Sequence, residues 1–124
     1  MAVPPRAAAL FDEGAALERA GDLPGAFASY EAAVETHPDY LAACKALARL
    51  SLAIDEIRAF QNWCHEASRI DPMDPEPYAM LGGWLARRGR RAEALETLRH
   101  ALTRRPLPDG ERAAVEAALR AIQL

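Results

Sequence analysis

No stretch of this chain gathers β-branched residues, so nothing in it reads as a sheet. No apolar run reaches the roughly 18 residues of a membrane span. The opening Met-Ala-Val-Pro-Pro-Arg has no apolar region behind a basic start, so it does not read as a signal peptide. Cysteine is scarce: Cys44 and Cys64 cannot build a disulfide framework, and a reduced, cytoplasmic protein is expected. A glycine-rich phosphate loop, a hydrolase elbow and a paired-acid cleft are all missing. That leaves no catalytic constellation, so the reading is not an enzyme and calls for no cofactor. A strong charge of either sign is missing too, the net being −3.

What the chain has is a period. Pro38, Pro72 and Pro106 stand 34 residues apart, and a fixed spacing of that size marks stacked copies of one supersecondary unit. Alanine, the best helix former, occurs 28 times. Three periods starting at Ala7, Leu41 and Pro75 superpose in register. The fourth place reads Leu10, Cys44, Tyr78; the eighth Gly14, Ala48, Gly82; the eleventh Leu17, Ser51, Leu85. Steps of three and four put these on one face of a first helix. The twentieth place reads Ala26, Phe60, Ala94; the twenty-fourth Tyr30, Cys64, Leu98; the twenty-seventh is always alanine, at 33, 67 and 101. These share a face of a second helix. Gly21 and Gly89 mark turns between the two, while the middle copy has Asp55-Glu56 there. Small residues at Gly14, Gly82, Ala26 and Ala94 allow close approach, and Leu17, Tyr30, Leu85 and Leu98 fill the remaining space. The three prolines stop the second helices, and Pro75 suits the first turn of the next helix.

The pattern resembles the tetratricopeptide repeat family over residues 7–106. The strongest stretch runs from Pro75 through Tyr78, Leu81, Gly82, Leu85, Ala94, Leu98 and Ala101 to Pro106. The first copy departs at Glu13, where a large apolar residue is usual. The second departs at Ser51, at Phe60 and at its turn, and Phe60 is expected to spread or tilt its two helices. The resemblance implies an all-α fold, a right-handed α-α superhelix of three tetratricopeptide-like helix pairs plus a capping helix, forming one domain with repeats at 7–40, 41–74 and 75–108. A stripe of Val115, Ala118, Leu119 and Ile122 predicts the cap over 109–122.

Stacked pairs curve, and their first helices line the concave side. The family's usual ligand places then give a groove of Phe11, Ala15, Lys45, Arg49, Leu52, Met80 and Arg87, with Glu18 and Ala46 also on that face. Small residues leave room for a peptide or helix, and Met80 adapts to varied shapes. Cations pair with ligand carboxylates. The expected partner is a protein or peptide with apolar anchors and acidic residues. Family members that grip a chaperone's terminal carboxylates use Lys, Asn and Arg at five places, where this chain has Phe11, Ala15, Ala46, Glu76 and Met80. None matches, so that mode is not expected.

Other features read plainly. Cys64 and His65 are adjacent, but helical neighbours point about 100° apart, so a nucleophile–base pair is not expected and Cys64 falls at a core place. His37, His65 and His100 lie on three different helices, short of the roughly four converging ligands zinc needs. Arg87-Arg88-Gly89-Arg90-Arg91 is the densest basic run, without interleaved aromatics, and reads as a solvated turn; no nucleic-acid partner is expected. Residues 1–40 carry seven acids against two arginines, and residues 87–124 nine arginines against five acids. With Trp63, expected outside or against Phe60, that polarity supports an alternative: a homo-oligomerisation or regulatory module. A third reading, the interaction part of a larger enzyme system, ranks below because the chain ends with its own cap.

Overall fold

Alanine-rich amphipathic segments separated by glycine and proline fold as helices, and the computed structural model describes residues 2–123. Seven helices occur among them, in antiparallel pairs: α1 (Pro5–Arg19), α2 (Leu23–Thr36), α3 (Leu41–Ala53), α4 (Ile57–Ile70), α5 (Glu76–Arg87), α6 (Arg91–Leu102) and α7 (Asp109–Gln123). The chain divides into two compact units, one ending at Ile70 and the other beginning at Asp71.

In the first unit, α1 packs on α2, α2 on α3, and α3 on α4. Asp22 caps α2, its carboxylate accepting from the Gly25 amide at 3.0 Å. One cluster of Ala26, Tyr30, Ala46, Leu47 and Leu50 joins α2 and α3, with Phe11, Leu17, Phe27 and Trp63 packed around it. The hole expected at Gly14 is filled by Tyr30: a Cβ on that glycine would stand 2.8 Å from the ring. The α3–α4 pair reverses the sizes. Phe60 replaces the usual alanine and is completely buried, while the neighbouring core place holds only Cys64, also buried. The larger ring and the smaller thiol thus stand one turn apart on α4, both out of solvent.

In the second unit, α5 packs on α6, and α7 packs on both. Gly82 repeats the Gly14 arrangement, a Cβ there lying 2.6 Å from Leu98. The stripe on α7 works as expected: Val115 and Leu119 are buried with Leu98, Ala101 and Leu107, and Ala118 and Ile122 pack beside them. Pro75 sits one place earlier than expected, as the N-cap of α5, and Pro77 takes the helix's first turn. The loop before α5 is tied to the end of α6. Arg105 donates to both carboxylate oxygens of Asp71, Arg104 Nε donates to the Pro72 carbonyl at 3.0 Å, and the Arg105 amide donates to the Met73 carbonyl at 3.1 Å.

The three turns between paired helices are equivalent. Gly21 and Gly89 have φ of 85° and 78°, and Asp55, at the same register, has φ of 61°. The left-handed residue that ends each first helix is thus kept where glycine is absent. Pro38, Pro72 and Pro106 are all exposed, beyond the ends of α2, α4 and α6.

Candidate functional site

Five of the seven predicted groove residues lie in the first unit, on α1 and α3. Phe11 is half-buried, its ring centroid 5.2 Å from Tyr30 and 5.3 Å from Tyr40. Tyr40 in turn meets His37 edge-on at 5.9 Å. Ala15, Lys45 and Leu52 are half-buried, and Arg49 is exposed. Ala46, expected on the same face, is instead buried in the core cluster, because Tyr30, Leu47 and Leu50 close around it. Met80 and Arg87 lie on α5 in the second unit. Met80 is half-buried; the Arg87 guanidinium lies back over Gly83, where an added Cβ would be 3.5 Å from it.

The polar arrangement on the first unit differs from a row of unengaged cations. Arg49 Nη2 spans both oxygens of Glu18, at 2.8 and 3.0 Å. The phenol of Tyr30 donates to the same carboxylate at 2.8 Å. Tyr30 is buried, so Glu18 is held by an immobile group from below while Arg49 closes it from outside. Burial pushes the Glu18 carboxyl up, but the bonds from Arg49 and Tyr30 outweigh it and leave the pKa below its ordinary value. Burial, together with the bond to Glu18, pushes the Tyr30 phenol up to about 12. The Tyr40 phenol is also raised, by burial and by the nearby Asp12 carboxylate. This face therefore carries acids from α1 and cations from α3. Glu18 takes the twelfth place of one repeat and Arg49 the ninth of the next. That register was the signal available in the sequence; the part of the buried Tyr30 was not.

The other candidates resolve in ways that offer no chemistry. Cys44 and Cys64 are both buried free thiols, pushed up to about 11 and about 12 by burial; Cys44 also feels Glu66. His65 is exposed, so it and Cys64 point apart. No group of three or more His, Cys, Asp or Glu among the described residues could hold a metal ion, and no helix is long and apolar enough to cross a membrane. Trp63 packs on the first unit's core and is not an exposed patch, which removes one support of the self-association reading. Trp84 is buried, and its ring is covered by the guanidinium groups of Arg88 at 5.4 Å and Arg90 at 5.8 Å. Arg90 also pairs with Glu93 at 2.9 Å, and Arg91 donates to the Ile122 carbonyl. Much of the basic run is thus engaged within its own unit.

Residues 17–85 match the family model described as tetratricopeptide repeat. The chain matches no curated protein sequence. Among solved structures it is similar to the TPR domain of P58(IPK), with a TM-score of 0.86 and 22% identity over 94% of this chain and 32% of that one. This chain therefore spans about a third of that structure's length. It is similar to the first TPR of Spaghetti (RPAP3) bound to the HSP90 peptide SRMEEVD, with a TM-score of 0.80 and 14% identity over 96% and 94%. It is also similar to the TPR2B domain of yeast Sti1 in a pHsp70 complex, with a TM-score of 0.85 and 18% identity over 97% and 98%. At such identities the likeness establishes the fold. With over half of its length inside the family model and its helix pairs repeating every 34 residues, the chain belongs to the tetratricopeptide repeat family.

Proposed function

We propose that the chain is a non-enzymatic protein-interaction scaffold that binds a peptide or protein segment on the first helices of its first unit, α1 and α3. Tetratricopeptide domains are typically non-catalytic, and two of the similar structures carry chaperone-derived partners. One observation carries the reading here: Phe11, Ala15, Lys45, Arg49 and Leu52 all keep accessible surface on α1 and α3 of the first unit. Small Ala15 leaves space beside the aromatic edge of Phe11, and apolar side chains of a ligand would anchor there. Acidic residues of the ligand would answer Lys45 and Arg49, and Met80 and Arg87 offer the same pairing of types on α5. The chaperone-tail mode stays outside the proposal, since Phe11, Ala15, Ala46, Glu76 and Met80 replace its polar residues. Cytoplasmic residence suits two unoxidised thiols.

The test is selection of displayed peptides on the full chain, followed by affinity measurement with Ala15→Trp and Leu52→Glu. Each is expected to weaken binding by about tenfold or more, the scale of a truncated or blocked anchor contact. Unchanged affinity in both removes the first-helix face from the account. Arg49→Glu is a poorer probe because it also breaks the bond to Glu18.

A further inference from the structure

The exposed cation of this face, Arg49, already holds a carboxylate, and it belongs to the same chain. We propose that Glu18 is a built-in competitor: its carboxylate occupies the Arg49 guanidinium and sets how acidic a peptide must be to enter the α1–α3 face. This deepens the peptide-binding reading and rests on it for its biological use.

Three observations support the assignment. First, the contact is well formed, with one nitrogen spanning both carboxylate oxygens at 2.8 and 3.0 Å, in the range of charge-assisted hydrogen bonds. Second, Glu18 is not a wandering surface acid. Tyr30 donates to it from a buried position at 2.8 Å, so the Glu18 share of the ordering entropy that weakens an exposed pair is already lost. Third, the exposures are unequal: the Arg49 side chain is 54% exposed and that of Glu18 only 26%. The guanidinium therefore stands on the solvent side, where an incoming carboxylate would meet it, with Glu18 behind it. A ligand acid must either displace Glu18 or approach a pair whose net charge is zero. Both lower the gain from acidity and leave apolar contact with Phe11 and Leu52 to do more of the selecting. All of these groups lie within the first unit.

The experiment follows the Arg49 Nε resonance by NMR while hexaglutamate is added to the full chain, in the wild type, Glu18→Gln and Glu18→Ala. Glutamine keeps an acceptor for the Tyr30 phenol, and circular dichroism checks that all three are folded. The resonance is expected to reach half its shift in the variants at about a tenfold lower hexaglutamate concentration than in the wild type, the weight of roughly one charge-assisted hydrogen bond. Equal concentrations, a lower one in the wild type, or no shift in either variant overturns the assignment. A failed peptide selection alongside the expected Arg49 response would sink the peptide-binding reading and leave the competitor standing.

Discussion

Neighbouring glycines in α5 carry opposite meanings. At Gly82 a Cβ would press within 2.6 Å of Leu98, whereas at Gly83 it would meet only the movable Arg87 guanidinium, at 3.5 Å. Gly82→Ala is therefore expected to destabilise by about 1–3 kcal/mol through overpacking. Gly83→Ala should stabilise by up to about 1 kcal/mol through helix propensity. Urea denaturation of the two variants checks the contrast, and equal signs would refute the knob-and-hole account. Asp55 holds a left-handed φ of 61° that only glycine adopts without cost. Asp55→Gly is expected to raise stability by roughly 0.5–1 kcal/mol, despite the added freedom of the unfolded chain. Ser51 is a different kind of compromise, a fully buried hydroxyl whose oxygen has no hydrogen-bond partner among the described residues.

At the scale of helices, the Tyr30–Glu18–Arg49 network ties α2, α1 and α3 together, and its pH dependence has two limbs of opposite sign. The Glu18 pKa is lowered in the fold, so its contribution is present above the ordinary carboxylate range and lost as pH falls through the lowered value. The Tyr30 pKa is raised to about 12, so its contribution is present below about 10 and lost as pH rises towards 12. An absorbance titration should show Tyr30 ionising last, near 12, and Tyr30→Phe should remove that last step while leaving the raised Tyr40 step. On α7, Leu119 is buried against Leu98, Ala101 and Leu107. Leu119→Ala is expected to cost about 2–4 kcal/mol of stability. The exposed Arg112–Glu116 pair on the same helix, at 3.0 Å, should contribute less than about 1 kcal/mol. Thermal melts of Leu119→Ala and Arg112→Ala separate the apolar seal from the surface ion pair.

For the molecule as a whole, both thiols lie in the first unit, on α3 and α4, so their reactivity reports the opening of that unit alone. Alkylation under native conditions at neutral pH is expected to be slow for both, because burial keeps the thiols protonated. It should accelerate sharply in denaturant, and fast native labelling would contradict the buried assignment. Period, helix type, turn positions and the capping stripe were all legible in the amino-acid sequence. Each follows from local rules: spacings of three and four, glycine or a tolerant substitute at a left-handed turn, and proline beyond a helix end. The places of Phe11, Ala15, Lys45 and Arg49 on first helices were legible for the same reason. What tertiary packing alone decided is which groups share their charge and volume. Glu18 and Arg49 are 31 residues apart and meet because α1 and α3 lie in one unit; Ala46 is buried because the cluster around Tyr30 closes over it; Phe60 is fully buried where the other two copies have alanine. Periodicity fixes the face on which a residue stands, since it is set by backbone geometry. It does not fix the neighbour across the gap, since that depends on the sizes and charges of side chains from another turn of the chain.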